Sequence, residues 1–164
     1  QAFVFTDGRA GNAAPDLART DVAARAALET LLDRGLLVVV PGFIGSGCDG
    51  EIVTLGRGGT DLTATVLARA LEANEVTLWK DVAGCMTADP RLVPDARVVP
   101  LLDAREASEL AYYGAKVLHP RTLVPLQQGT ILRIRPFANP ESAGTTTVAG
   151  TAMRWCSPTR ITST

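Results

Sequence analysis

Short apolar runs alternate with helix-periodic segments along this chain, and that alternation constrains the fold more than any other feature. Residues 36–40 are apolar at every position, as a strand covered on both faces requires. Residues 76–79 read as a further central strand, 131–135 as the last strand, and 3–6 as a short one. Between them, Ala24, Ala27, Leu28, Leu31 and Leu32 follow helical spacing and place a helix over 21–34, with Thr20 as its cap and Gly35 as its stop. A second helix is expected over 61–71, capped by Thr60. A third runs from Asp103, which forms a capping-box pattern with Glu106, to residue 113. Pro120 suits the first position of a fourth, ending near 128. Residues 51–55 read as a hairpin arm, 84–94 as an irregular excursion and 98–99 as a short edge strand. From Asn139 onward Gly, Ser, Thr and Pro suggest a loop or frayed tail. The pattern is α/β with a largely parallel sheet.

The 164 residues suit one domain, and with 46% hydrophobic but only 5% aromatic residues its core must be aliphatic. A formal net charge of -1 gives no general field for nucleic acid or anionic lipid, so any bound anion must be caught locally. No apolar run is long enough to span a membrane, and nothing reads as a signal peptide. Cys48, Cys85 and Cys156 are widely spaced and share one His, so no zinc site is expected. They read as reduced thiols of a cytoplasmic protein.

The sequence LGRGGTD at 55–61 carries the clearest chemistry. Gly56, Gly58 and Gly59 allow close backbone approach to a ligand, and the helix start offers free N–H groups to an anion. Arg57 can clamp a carboxylate or phosphate. Asp61 would repel an anion, so it reads as orienting a cation, holding Mg²⁺ through water, or placing transition-state charges. A tight turn whose Asp61 only complements the helix dipole would look the same. WKDV at 79–82 puts Lys80 and Asp81 at a strand's C-terminal end, where α/β sheets bind ligands. TADPR at 87–91 presents Arg91, either to a phosphate or to a local ion pair. GAKVLHP at 114–120 sets Lys116 among small and apolar residues; His119 before Pro120 reads as a cap rather than a base. No GxSxG or Walker A motif is present.

Taken with GFIG at 42–45, NAAPD at 12–16 and the segment from Asn139-Pro140 to Gly144-Thr145, these motifs resemble, in order and spacing, the aspartate kinase branch of the amino-acid kinase family. The resemblance implies a three-layer α/β/α sandwich and ATP-dependent phosphorylation of the L-aspartate β-carboxylate, the entry to lysine, threonine and methionine synthesis. It implies that Phe43, Arg57, Gly58, Gly59 and Thr60 hold aspartate, with Arg57 and Asp61 in the catalytic cluster. Lys80, Asp81, Met86, Arg91, Lys116 and Val117 would surround MgATP, with no resident metal site, in a homo-oligomer. Nothing here matches the family's Lys-Phe-Gly-Gly loop, its acidic residue for the substrate amino group, or its regulatory ACT domains. Residues 1–148 are therefore expected to be a partial catalytic domain without measurable turnover alone, and 149–164 a disordered or appended tail. The alternatives are a family member acting on acetylglutamate, glutamate or UMP, or a non-catalytic nucleotide-binding fragment.

Overall fold

The computed structural model describes residues 3–112 and 117–148. Helix α1 (Leu17–Asp33) is followed by a hairpin of β1 (Ile44–Ser46) and β2 (Ile52–Thr54), then by helix α2 (Gly59–Ala70). A four-stranded sheet contains β3 (Glu75–Lys80), β4 (Leu101–Asp103), β5 (Ile131–Pro136) and β6 (Thr145–Val148), in the order β3-β5-β6-β4. Helix α3 (Ala104–Tyr112) follows β4. The pairs β3/β5 and β4/β6 are parallel and β5/β6 antiparallel.

Helix α2 is the hub. Its Leu62 and Val66 pack with Val53 and Leu55 of the hairpin side. Ala68 joins Val76, Leu78, Leu132 and Ile134 on one face of the sheet, where Ala107 of α3 also packs. Ala70 packs with Ala24 and Leu28 of α1. A helix touching three clusters has little polar surface, and its buried Thr63 and Thr65 satisfy their hydroxyls on carbonyls a turn earlier, Thr63 on Gly59 at 2.8 Å.

Several expected boundaries move. Helix α1 starts four residues early because Asp16, not Thr20, caps it: the Asp16 carboxylate accepts from Arg19 N at 3.0 Å. Thr20 lies inside the helix, fully buried, where its hydroxyl accepts from Phe5 N. Residues 3–6 form only isolated bridges, Phe5 with Ser46 and Thr6 with Pro15. Gly58, not Thr60, caps α2, in the left-handed conformation. The capping box at Asp103 and Glu106 is present in both directions, at 2.8 and 2.9 Å. Pro120 opens only a 3-10 turn, Pro120–Thr122, rather than a helix. Residues 98–99 contribute a single bridge, Val98 with Met86.

Two corrections concern whole elements. The Thr-rich stretch after Asn139 is not all loop: β6 lies inside the sheet, flanked by β5 and β4. Its buried Thr145 accepts from Cys85 N at 2.8 Å and donates to Val99 O at 2.7 Å, so a polar side chain is fully used in the core. Residues 36–40 are not a covered strand. Val38 and Val40 pack against the α1/α2 cluster, but Leu37 is 94% and Val39 87% exposed. Among the described residues, no backbone hydrogen bond ties 37–40 to a neighbouring strand.

Candidate active site

The loop between β2 and α2 is held from several sides. Gly56 and Gly58 adopt φ of 74° and 71°, which side chains rarely tolerate. A Cβ on Gly56 would lie 2.8 Å from Asn12 Oδ1 and Gly11 O, and one on Gly58 would lie 2.6 Å from His119 Cβ. Here glycine is required by contact as well as by conformation. Asn12 is presented by a loop that Asp7 closes, accepting from Ala14 N at 2.9 Å and Arg9 N at 3.2 Å. Those backbone donors, Ala14 first, hold the Asp7 carboxyl below its ordinary pKa.

Phe43 sits opposite, with φ of 76°, a strained conformation for a bulky residue. Its N–H donates to Thr63 Oγ1 at 3.0 Å and its carbonyl accepts from Leu55 N at 2.9 Å, so both neighbours enforce the strain. Its ring lies over Gly59, where a Cβ would come within 2.9 Å.

Lys80, at the end of β3, places Nζ 2.5 Å from Asp61 Oδ2 in the first turn of α2. Both side chains are about four-fifths buried, at 22% and 17% exposure. The two segments singled out in the sequence therefore meet through this pair.

Two open clefts, of about 500 and 580 Å³, adjoin here. Both are lined by Arg57, Gly58, Asp61 and Lys80. One continues along Tyr112, Val117 and His119, the other along Phe43, Gly11 and Thr60. Asp61 and Lys80 offset each other, so the shared wall is positive through Arg57. Its exposed guanidinium makes no hydrogen bond or ion pair with the described residues. Such a wall suits an anion on each side.

Of the residues expected at the site, Phe43, Arg57, Gly58, Gly59, Thr60, Asp61, Lys80 and Val117 line these clefts. Asp81, Met86 and Arg91 line neither. Asp81 is exposed, Met86 bridges Val98, and Arg91 lies 3.9 Å from the Asp89 carboxylate on an exposed turn. Lys116 and residues 149–164 lie outside the described residues. The His119 ring caps the Pro120–Thr122 turn, accepting from Arg121 N at 3.3 Å, and also lines a cleft. Gly11, Thr63 and Arg121 were not singled out. Thr63 looks like an ordinary helix residue, and Arg121 lies 109 residues from the Asn12 it bonds. The loop itself is readable at 7–15 from Gly8, Gly11, Asn12 and Pro15, but not the contact that Arg121 makes with it.

Among the described residues no group of three His, Cys, Asp or Glu could hold a metal. Asp61 is the one carboxylate at both clefts and is engaged by Lys80. This donor set fits Mg²⁺ arriving with a nucleotide and held mainly by its phosphates, not a caged ion.

An α/β domain with two adjoining clefts that share a positive wall has room for two small ligands side by side. The chain belongs to the amino acid kinase family, whose model matches residues 3–135. Among curated proteins it is 46% identical over 143 residues to lysine-sensitive aspartokinase 3 of Escherichia coli, covering 85% of this chain and 31% of that one. It is 48% identical over 109 residues to chloroplastic aspartokinase 1 of Arabidopsis thaliana, covering 65% and 19%. The chain thus spans a third or less of these relatives' length. The fold matches E. coli aspartokinase III, solved with aspartate and ADP, with a TM-score of 0.81 at 38% identity over 90% of this chain and 33% of that one. Clostridium acetobutylicum aspartate kinase gives 0.80 at 27% identity, covering 93% and 34%. Among the described residues no helix is long and apolar enough to cross a membrane. Since the relatives include a chloroplastic enzyme, kinship alone fixes no compartment.

Proposed function

We propose that this chain forms the meeting point of the two substrates in an aspartate kinase, which transfers the γ-phosphoryl group of MgATP to the β-carboxylate of L-aspartate. The observation that carries this reading is that two clefts share Arg57 and the Asp61–Lys80 pair. Aspartate takes the cleft of Phe43, Thr60 and the glycine turn, with a carboxylate on Arg57. ATP takes the cleft of Tyr112 and Val117, and Lys116 is assigned to its phosphates on the motif GAKVLHP. The roles given to Asp81, Met86 and Arg91 rest on the motifs WKDV and TADPR alone.

The aspartate side chain has an ordinary pKa of about 4 and is already a nucleophile at neutral pH, so no general base is needed. One carboxylate oxygen bonds to the γ-phosphorus as the bond to the β–γ bridging oxygen breaks, and ADP leaves with that electron pair. The protein's task is to bring two anions together. Arg57 offsets their charge, and the Asp61–Lys80 pair fixes the shared wall from which it acts. Mg²⁺, when bound with ATP, would neutralise the phosphate charge.

Calorimetric titration of this chain with aspartate, glutamate, N-acetylglutamate and UMP, each with and without MgADP, tests the reading. Aspartate should bind, and more tightly with MgADP present. Equal binding of all four, or preference for another, would overturn it.

A further inference from the structure

Arg121 touches neither cleft, yet it is the most heavily engaged cation near them. Its Nη1 donates to Leu55 O at 2.8 Å and to Asn12 Oδ1 at 2.6 Å, and its Nη2 donates to Ala13 O at 2.6 Å. One guanidinium thus joins the start of the 55–58 loop, the loop carrying Gly11 and Asn12, and the turn of His119 and Pro120. That same turn lays His119 Cβ against Gly58, at the other end of the loop. Asn12, oriented by Arg121, in turn occupies the space that a Cβ on Gly56 would need. The backbone of Arg57 is therefore pinned on both sides, while its side chain remains open to the clefts.

We infer that Arg121 is a positioning residue for Arg57. It fixes the loop from which Arg57 reaches the acidic substrate, and so sets affinity for that substrate without contacting it. The inference rests on the proposed reading for the identity of the ligand, but not for the geometry. A planar fork with several donors can serve three oxygens on two loops at once, and an ammonium serves fewer in fixed directions. Because His119 and Pro120 also line the opposite cleft, the device ties the loop to the nucleotide side.

The test compares wild type, Arg121→Lys and Arg121→Met in the full chain. Amide hydrogen exchange at residues 56–59 is read by NMR against the amides of β5, and aspartate is titrated with MgADP present. In Arg121→Met, exchange at 56–59 should rise and aspartate affinity fall by about tenfold or more, while β5 stays near wild type. Arg121→Lys should recover part of both; if the Met variant does not fold, the Lys variant carries the comparison with smaller changes of the same sign. Unchanged loop exchange and unchanged aspartate affinity in a folded variant would overturn the inference. Loosening of 56–59 in a chain whose wild type binds no aspartate would support the positioning and overturn the substrate reading separately.

Discussion

Lys80 and Asp61 are 19 residues apart in sequence and 2.5 Å apart at their charged atoms, one ending a strand and the other opening a helix. The pair fixes the distance between the β3 end and the α2 start, and both clefts border it. Each side chain is mostly buried, so removal of one leaves the other charge poorly solvated.

Asp61→Asn and Lys80→Met should each destabilise the chain by on the order of 1–3 kcal/mol, read from urea unfolding. The double variant should lose less than the sum, with a coupling of about 0.5–3 kcal/mol. Strict additivity would show that the two do not act as a pair.

Arg57→Ala should leave stability within about 0.5 kcal/mol, since the side chain is exposed and unpaired among the described residues. Aspartate affinity should fall roughly 30-fold to 1000-fold through loss of a charge-assisted contact. Arg57→Lys should recover only part of it, because an ammonium cannot reproduce a bidentate grip. Calorimetry on the three proteins checks this.

Phe43 offers a contrast between stability and function. Phe43→Gly removes backbone strain at φ of 76°, whereas Phe43→Ala keeps it and loses the ring. The glycine variant should be more stable than the alanine variant by about 1 kcal/mol in denaturant midpoints. Both should bind aspartate more weakly than wild type. An alanine variant as stable as the glycine variant would show that the site relaxes out of the left-handed region.

Cys85 is 3% exposed, and burial pushes its thiol pKa above the ordinary value, whereas Cys48 is exposed. Alkylation of the native chain, mapped by peptide mass, should label Cys48 quickly and Cys85 only after unfolding. The folded state favours the protonated thiol. Its contribution is therefore complete below the unfolded pKa of about 8.5 and is lost as pH rises toward the raised folded value. Thermal stability should decline on the alkaline side, and less so in Cys85→Ala. Equal labelling of both thiols would contradict the packing around Cys85.

Elements with local periodicity were legible in the sequence: β3, β5, α2 and α3 lie where apolar spacing and the Asp103–Glu106 box place them. The residues of the glycine turn were legible too, because positive φ and close approach leave glycine as the readable trace. Strand β6 was not, because its buried Thr145 gains its place from Cys85 and Val99, far away in sequence. Thr20 resembles a cap until Phe5 is seen against it. Spacing likewise gave no sign that Lys80 meets Asp61 or that Arg121 meets Asn12, since those contacts exist only after the sheet and α2 have packed.

The open stretch at 36–40 is expected to govern how these molecules behave toward one another at high concentration. The Leu36 N–H bonds to Leu31 O, but an exposed apolar segment such as 37–40, whose backbone bonds to no strand among the described residues, is a template on which another chain can add one. Leu37 and Val39 face outward there without a flanking charge between them. Light scattering should therefore rise with protein concentration and show thioflavin-positive material on prolonged storage. Leu37→Lys with Val39→Lys should suppress both while leaving the two clefts intact, because a lysine on an exposed edge repels its copy in the next chain. The same five residues that read in the sequence as a strand covered on both faces would then set the colloidal limit of the chain in solution.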